Sequence, residues 1–308
     1  MTTPVDPSAT PTAARRLTVG YGALILASLL WAGTGIAGKS VFDRISPAGL
    51  AFLMWAGGAA IGWMLAGREV RSQWPSIIKA WKVMLAIGCM STSVFFLLVF
   101  QAFQNTTANT HALLNSSVPV WVLLINWIVF SRAPTGREIA GFLLSIAGVA
   151  AIIFRGDVAN VIGLRLNPAD LLILLAMLLW SFHIFLLPYR PALSPMAFLA
   201  VTGTIGALVV APFYAWDLAR GVAHPVFTVP VFVSIFYVVI LRTVLATIVF
   251  NIGVDRVGAV RSAPFTHLVP IFGTIGAYGL LGEAVYWYHA AGFALVLAGI
   301  VVANRRLA

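Results

Sequence analysis

Long apolar runs separated by short polar segments make up the chain from residue 18 almost to its end. A helix needs about 20 mainly apolar residues to cross the hydrocarbon core of a bilayer. Windows of that length predict ten membrane spans, at 18–38, 48–67, 83–103, 108–130, 138–154, 168–189, 196–216, 230–251, 258–281 and 286–304. The hydropathy pattern therefore predicts an all-α integral membrane protein with ten transmembrane helices.

Short sequence matches recur between the two halves of the chain at a spacing near 150 residues. The matches are Leu29-Leu30-Trp31-Ala32 with Leu178-Leu179-Trp180-Ser181, Ser46-Pro47 with Ser194-Pro195, Val118-Pro119 with Val269-Pro270, Ala140-Gly141-Phe142 with Ala291-Gly292-Phe293, and Ala147-Gly148 with Ala298-Gly299. Each half holds five spans, an odd number, so the second half enters the membrane in the opposite orientation. Inverted repeats of this kind are typical of secondary transporters.

The chain then divides into four predicted segments. Its polar, proline-containing start predicts a disordered cytoplasmic tail at 1–17. The two five-helix repeats occupy 18–154 and 168–305, and the segment between them, 155–167, is predicted to be an extracytoplasmic linker. Two mirrored halves can exchange roles, and that exchange converts an outward-open cavity into an inward-open one.

Composition supports the membrane assignment, because apolar residues make up 61% of the chain and charged residues only 9%, with a mean hydropathy of +0.98. A soluble domain carries about 25% charged residues. The net charge of +10 could indicate nucleic acid, but Lys and Arg lie in short segments between apolar runs, where they contact headgroups. The expected partners are the lipid bilayer and a small-molecule substrate, without nucleic acid, for a monomer or homodimer.

The distribution of basic residues predicts the orientation, since cytoplasmic loops collect Lys and Arg. With the N-terminus inside, twelve basic residues lie on the inner side and five on the outer side. Both termini are therefore expected in the cytoplasm, and the protein in the cell inner (plasma) membrane. Cys89 is the only cysteine, so no intrachain disulfide or thiolate metal cluster can form, and no metal or other cofactor is expected.

Several motifs point to a known family. They are Gly279-Leu-Leu-Gly-Glu283, Ala291-Gly292-Phe293, Leu297-Ala298-Gly299, Ser116-Ser117-Val118-Pro119, and the tryptophans Trp31 and Trp180 in the first span of each repeat. From about Gly22 to Ala303 the chain resembles the drug/metabolite transporter superfamily in its EamA-like ten-helix branch. In general appearance it is most similar to the aromatic amino-acid and paraquat exporters. The resemblance implies export of small metabolites or drugs.

One position departs from that family. An acidic residue usually stands at the place of Glu283 in both repeats, and the first repeat here has Arg132 instead. The nine acidic residues of the chain all lie in the tail, in loops or near span ends. A proton-coupled antiporter of the small multidrug type relies on a mid-membrane glutamate in its first helix, and none lies near Trp31. Facilitated diffusion or exchange is therefore favoured over proton coupling.

Two arginines fall inside predicted spans, where a charge is costly and is by default a functional candidate. Arg242 lies midway along the eighth span, and Arg261 is one turn into the ninth. Either side chain could face a cavity and pair with a substrate carboxylate. Alternatively, either could snorkel to an interface or bind backbone carbonyls at a broken helix.

Polar and aromatic residues at helical spacing complete the candidate site. His111 and Asn115 share a face of the fourth span, Thr266 is the counterpart of Asn115 in the ninth, and Trp180 and His183 share a face of the sixth. These side chains could line a wet cavity, with Trp180 stacked on a substrate. Hydrogen bonds between helices and core packing are the alternatives. The predicted substrate-binding set is Arg242, Trp180, His183, Asn115, His111, Thr266 and Trp31.

The sequence as a whole predicts a secondary transporter that exports small metabolites, amino acids including aromatic ones, through a mid-membrane site between the repeats. An exchanger of anionic, phosphorylated or nucleotide-linked metabolites is the main alternative, since Arg242 and Arg261 suit an anion. An intramembrane enzyme is a distant alternative. Ser116 and His267 could be imagined as a nucleophile and its base, but no orienting acid is expected at membrane depth, so no catalytic residue is assigned.

Overall fold

A computed structural model describes residues 9–130, 135–157, 159, 167–221, 226–257, 265 and 268–304 of the chain. Across these residues the backbone forms helices and turns and no strand. The helices that correspond to the predicted spans are α1 (Ala9–Ala32, continued by Thr34–Lys39), α2 (Pro47–Ser72), α3 (Trp81–Ala102), α4 (Ala108–Leu114 and Val118–Phe130, joined by the 3-10 turn Asn115–Ser117), α5 (Gly136–Ile153), α6 (Pro168–Leu186), α7 (Pro195–Ala219), α8 (Val229–Val257), α9 (Leu268–Leu281) and α10 (Trp287–Asn304).

Most of these helices have the length and composition of membrane spans. Six of them, α1 to α3 and α6 to α8, are long and apolar enough to cross a bilayer, and α5, α9 and α10 carry shorter apolar stretches. The predicted all-α membrane fold, with five helices in each of two inverted repeats, is confirmed. Helix α1 begins at Ala9, so it extends into the segment for which the sequence predicts a disordered tail. Residues 258–264 of the predicted ninth span lie outside the described residues.

The second helix of each repeat begins with the same local structure. Ser46 and Ser194 have extended backbones, and their side chains accept hydrogen bonds of 3.1 Å from the Gly49 N–H and 3.2 Å from the Ala197 N–H. A side-chain oxygen at this position satisfies a donor that the first turn of the helix would otherwise leave free. A proline follows each serine, where its missing N–H removes no helical bond. The repeat in the sequence is therefore also a repeat in local backbone structure.

Helix packing follows the two-fold relation between the repeats. Helix α2 packs along its counterpart α7, and α5 packs along α10. Helix α1 packs against α8 as α6 packs against α3, and these pairs exchange when the repeats are exchanged. Small residues allow the close approach. A Cβ on Gly62 would lie 2.8 Å from the Ala200 backbone nitrogen, and one on Gly148 would lie 2.5 Å from the Gly292 carbonyl oxygen.

Large apolar side chains cover the outer surface of the helices. Met64, Ile128 and Leu280, for example, expose 81%, 75% and 76% of their surface. In water such a surface would favour association, whereas in a bilayer it contacts acyl chains of similar polarity. This exterior matches the lipid contact expected of a multi-pass membrane protein.

Candidate functional site

The third helix of each repeat contains a π-helical segment at the corresponding place. The segments are Gly88–Val94 in α3 and Tyr237–Leu245 in α8. Ser93 Oγ donates a hydrogen bond of 2.9 Å to the carbonyl oxygen five residues earlier, and Thr243 Oγ1 donates an equivalent bond of 2.7 Å. These two serine and threonine positions are 150 residues apart, the spacing of the repeat. Segments of this type are frequent at functional sites of helical proteins.

A cavity of about 310 Å³ lies between the two repeats, beside both π segments. It extends from Thr34, in the continuation of α1, to Pro195 at the start of α7. Six of the predicted site residues line it together, namely Trp31, His111, Asn115, Trp180, His183 and Arg242. The seventh, Thr266, lies outside the described residues, and so do Arg261 and His267.

Arg242 belongs to the π segment of α8 and lies against aromatic rings. Its guanidinium carbon is 4.4 Å from the centre of the Phe96 ring and 5.8 Å from that of Trp55. Its Nε is buried without a hydrogen-bond partner among the described residues, and no carboxylate there forms an ion pair with it. Cation–π contacts stabilise the charge only in part. The guanidinium therefore retains unused capacity to donate hydrogen bonds to an anion.

Three further lining residues carry a buried nitrogen that finds no partner within the described part of the chain. These atoms are Trp55 Nε1, His111 Nε2 and His183 Nδ1. Leaving such a group unpaired costs about 1–3 kcal/mol. A packing defect is lined by apolar groups and stays dry, whereas unpaired polar atoms concentrated at one cavity indicate a site for a polar ligand or water.

Aromatic rings form much of the cavity wall. Trp180 stacks on His183 with ring centres 4.8 Å apart and an interplanar angle of 22°, and it lies 5.3 Å from the Phe95 ring. Trp31, its counterpart in the first repeat, packs 4.9 Å from Phe250. Flat rings of this kind bind other rings by offset stacking or edge contacts. The wall therefore offers apolar surface to a ring-bearing ligand beside the Arg242 charge.

One end of the interface between the repeats is closed by an ion pair. Lys39 Nζ lies 2.6 Å from Glu283 Oε1 and donates a hydrogen bond of 3.0 Å to the Thr106 carbonyl. The same Glu283 oxygen accepts a bond of 3.0 Å from the Ala108 N–H. We call these four residues the ionic end. It ties α1, the start of α4 and the segment after α9 together, so both repeats are held at this end.

The cavity lining contains no carboxylate, as far as the structure describes it. Glu283 is held at the ionic end, Asp170 accepts a hydrogen bond of 2.5 Å from Thr106 Oγ1, and Glu69 accepts one of 2.7 Å from the Ser194 N–H. Within the same residues, no group of three potential metal ligands comes together. The described cavity is therefore aromatic, hydrogen-bonding and positively charged.

Sequence analysis does not single out Trp55, Phe96 or Thr92, although all three line the cavity. Thr92 has a usable signal, because it stands 150 residues before Arg242, at the mirrored position of the repeat. Trp55 and Phe96 have none. They lie in helices that are apolar on all sides, so hydropathy does not distinguish the face that lines a cavity from the face that contacts lipid.

Comparison with known proteins identifies the family that this arrangement resembles. The EamA-like transporter family matches the chain twice, over residues 18–154 and over residues 167–305. Each match covers one five-helix repeat, so the resemblance stated from the motifs is confirmed over nearly the whole chain.

Two of the relatives are similar over nearly their whole length. An uncharacterized transporter of Archaeoglobus fulgidus is 26% identical over 292 residues, covering 92% of this chain and 96% of its own. A probable terminal-alkyne amino-acid exporter of Streptantibioticus cattleyicolor is 24% identical over 308 residues, covering 94% and 95%. One crystal structure, 18% identical, covers 94% of this chain and 96% of its own with a TM-score of 0.56, which shows a shared fold alone.

Proposed function

The chain belongs to the EamA-like transporter family, and we propose that it exports small metabolites with a carboxylate group, amino acids including aromatic ones. The proposed mechanism is alternating access, in which the two inverted repeats exchange roles and expose one central site to each side of the membrane in turn. The observation that carries the proposal is Arg242, which has no acid partner among the described residues and lines an aromatic cavity between the repeats.

The chemistry of the cavity supports a substrate with a carboxylate at one end and a ring or another apolar group at the other. A planar guanidinium binds a carboxylate through two parallel hydrogen bonds. Trp180 and Phe95 supply flat apolar surface in the same cavity. A volume of about 310 Å³ is near the lower limit of ligand sites, so it favours a substrate of amino-acid size.

A named relative supports the substrate class. The Streptantibioticus cattleyicolor protein is a probable exporter of a terminal-alkyne amino acid. An amino acid provides the carboxylate partner that Arg242 does not find among the described residues, and an unsaturated or aromatic side chain provides a π surface for the cavity rings. The relative therefore supports amino acids and compounds derived from them as the carboxylate-bearing metabolites.

Export is supported by the proposed orientation of the chain. If the loops rich in Lys and Arg face the cytoplasm, the ionic end faces outward, and the cavity extends toward the cytoplasmic start of α7 at Pro195. A closed outer end with a cavity reaching inward is the state that loads substrate from the cytoplasm. We propose that the protein resides in the inner membrane in this orientation, with both termini inside.

Transport by the purified protein in proteoliposomes tests the proposal. Vesicles loaded with unlabelled phenylalanine are expected to accumulate labelled phenylalanine by counterflow, and Arg242→Ala is expected to remove that uptake. Arg220→Ala is the matched control, because Arg220 also lies over an aromatic ring, 4.7 Å from the centre of Trp216, but outside the cavity. Equal uptake by the two variants, reconstituted in equal amounts, would reject Arg242 as the anchor.

A further inference from the structure

The charge of the cavity is positive and has no counterion within the described structure. Arg242 supplies a guanidinium, a group that remains charged in proteins. His111 and His183 contribute either no charge or a positive one, in any protonation state. The other described lining side chains are aromatic, aliphatic, hydroxyl or amide groups.

None of the acids that the structure describes lines the cavity. Glu283, Asp170 and Glu69 are engaged elsewhere, as described above. Only two acids of the sequence have side chains that the structure does not describe. They are Asp6 in the N-terminal segment and Glu138 in the first turn of α5. By sequence, the segment 258–264, which lies outside the described residues, contains no acid.

A free amino acid would bring an ammonium group as well as a carboxylate into this cavity. Its carboxylate can pair with Arg242, but its ammonium group finds no described side chain of opposite charge. Removing an ion from water is costly unless it is paired and hydrogen-bonded. A substrate with a carboxylate and no ammonium group avoids this cost and leaves the pair with Arg242 electrically neutral.

Neutral acceptors compensate an ammonium group only in part. Among the lining residues, Asn115 carries an amide oxygen, and Thr92, Thr243 and Thr247 carry hydroxyl oxygens whose protons are donated to carbonyls of their own helices. Hydrogen bonds from an ion to such neutral groups are weaker than those to a carboxylate. The cavity can therefore accept a zwitterion, but its charge favours an anion.

We infer that the site selects ring-bearing carboxylates with a net negative charge, namely deaminated or N-acylated aromatic amino acids, over the zwitterionic amino acid with the same ring. This inference rests on the proposed function, because it assumes that Arg242 binds the substrate carboxylate. It assigns to the cavity a substrate class that is narrower than carboxylate-bearing metabolites and is defined by charge.

Ligand binding to the purified full-length protein at neutral pH tests the selectivity. The ligands are phenylalanine, N-acetylphenylalanine, 3-phenylpropionate and phenethylamine, and the signal is the change in intrinsic tryptophan fluorescence on binding. The two anions are expected to bind about tenfold more tightly than phenylalanine, a difference of about 1.4 kcal/mol. Phenethylamine is expected to bind least. Uptake of each labelled compound into proteoliposomes should follow the same order.

A substitution that changes the charge of one lining side chain but not its size tests the charge selectivity without altering the contacts to the ligand ring. Asn115→Asp places a carboxylate in the cavity and is expected to shift the preference toward phenylalanine and away from 3-phenylpropionate. Asn105→Asp, in the exposed turn before α4, is the matched control and should leave the order unchanged. Both variants are compared at equal amounts of folded protein, measured by size-exclusion chromatography in detergent.

The outcomes separate this inference from the proposed function. If phenylalanine binds as tightly as 3-phenylpropionate and both depend on Arg242, the charge selectivity is overturned and the proposed function stands. An unchanged preference in folded Asn115→Asp also overturns the selectivity. If none of the carboxylates binds the wild-type protein, the proposed function fails, and the inference fails with it.

Discussion

The π segments of α3 and α8 have the same local hydrogen bonding, yet only one of them carries a charge. In each segment a hydroxyl, Ser93 or Thr243, bonds the carbonyl oxygen five residues earlier. The residue immediately before that hydroxyl is Thr92 in the first repeat and Arg242 in the second. Both side chains line the same cavity.

This difference separates the symmetry of the fold from the asymmetry of the site. Thr92 Oγ1 bonds the Gly88 carbonyl of its own helix and lies 3.2 Å from the Thr202 carbonyl oxygen. Arg242 also reaches the other repeat, but there it contacts the ring of Phe96 and not a backbone carbonyl. Alternating access needs two repeats with similar backbones, whereas one substrate carboxylate needs one cationic partner. We therefore expect transport to depend far more on the second π segment than on the first.

The largest effect is expected when the two segments are made chemically alike. Arg242→Thr removes a charge-assisted hydrogen bond, which is worth about 1.5–3 kcal/mol, and should weaken substrate binding by about ten- to 150-fold. Thr92→Ala removes a hydroxyl that bonds only backbone carbonyls and should change binding less than about fivefold. Counterflow rates and binding constants at matched protein amounts measure both. Similar losses of substrate binding in the two variants would contradict the proposed difference between the two π segments.

A smaller effect is expected from the mirrored tryptophans. Trp180→Ala removes ring contacts worth about 0.5–1.5 kcal/mol, so phenylalanine should bind about two- to tenfold more weakly. Leucine should lose less, because it has no ring to stack. Trp31→Ala, at the corresponding place in the first repeat, should affect the two amino acids equally. Competition assays with both amino acids measure the ratio, and an equal loss of phenylalanine and leucine in Trp180→Ala contradicts the assignment.

The ionic end extends the asymmetry between the repeats. The counterpart of Glu283 in the first repeat is Arg132, which lies outside the described residues, so the first repeat has no acid at the position that mirrors Glu283. Because Lys39 is 29% exposed, its pair with Glu283 is worth about 1 kcal/mol. Lys39→Met should therefore shift the balance between closed and open states of this end by about fivefold.

Labelling in whole cells measures that shift. Thr34 lines the cavity near the ionic end and is replaced by cysteine in a Cys89→Ala background. Cells that carry this variant are treated with an impermeant maleimide. The labelling rate of this cysteine should rise about fivefold with Lys39→Met. Lys82→Met is the control, since Lys82 lies 5.9 Å from the Trp81 ring centre and outside the ionic end. An unchanged labelling rate in the Lys39 variant would show that the pair does not hold this end closed.

The smallest effect is expected from the pH gradient. The described cavity lining has no carboxylate that could bind a proton in one step of the transport cycle and the substrate in another. Collapsing the gradient across proteoliposomes should leave counterflow unchanged in the wild-type protein. If collapse abolished accumulation against a substrate gradient, proton-independent transport would be rejected, and Glu283 or a histidine would become the candidate for coupling.

Hydropathy predicts the spans well, and short sequence matches predict the repeat, because both features recur over many residues. Hydropathy also brings out Arg242, since a charge inside an apolar run is conspicuous. It does not find Trp55 or Phe96, because lipid and protein interior are equally apolar and the inward face of a membrane helix leaves no periodic signal. The pair between Lys39 and Glu283 joins residues 244 apart, and no local pattern reveals it.

The central claim, that Arg242 binds the substrate carboxylate, is tested most directly by a double-mutant cycle between protein and ligand. Binding of 3-phenylpropionate and of its neutral amide is measured for the wild-type protein and for Arg242→Ala. The wild-type protein should strongly prefer the carboxylate, the variant should bind both ligands alike, and the coupling free energy should be about 1.5–3 kcal/mol. A coupling free energy near zero, with both proteins folded, would contradict the central claim.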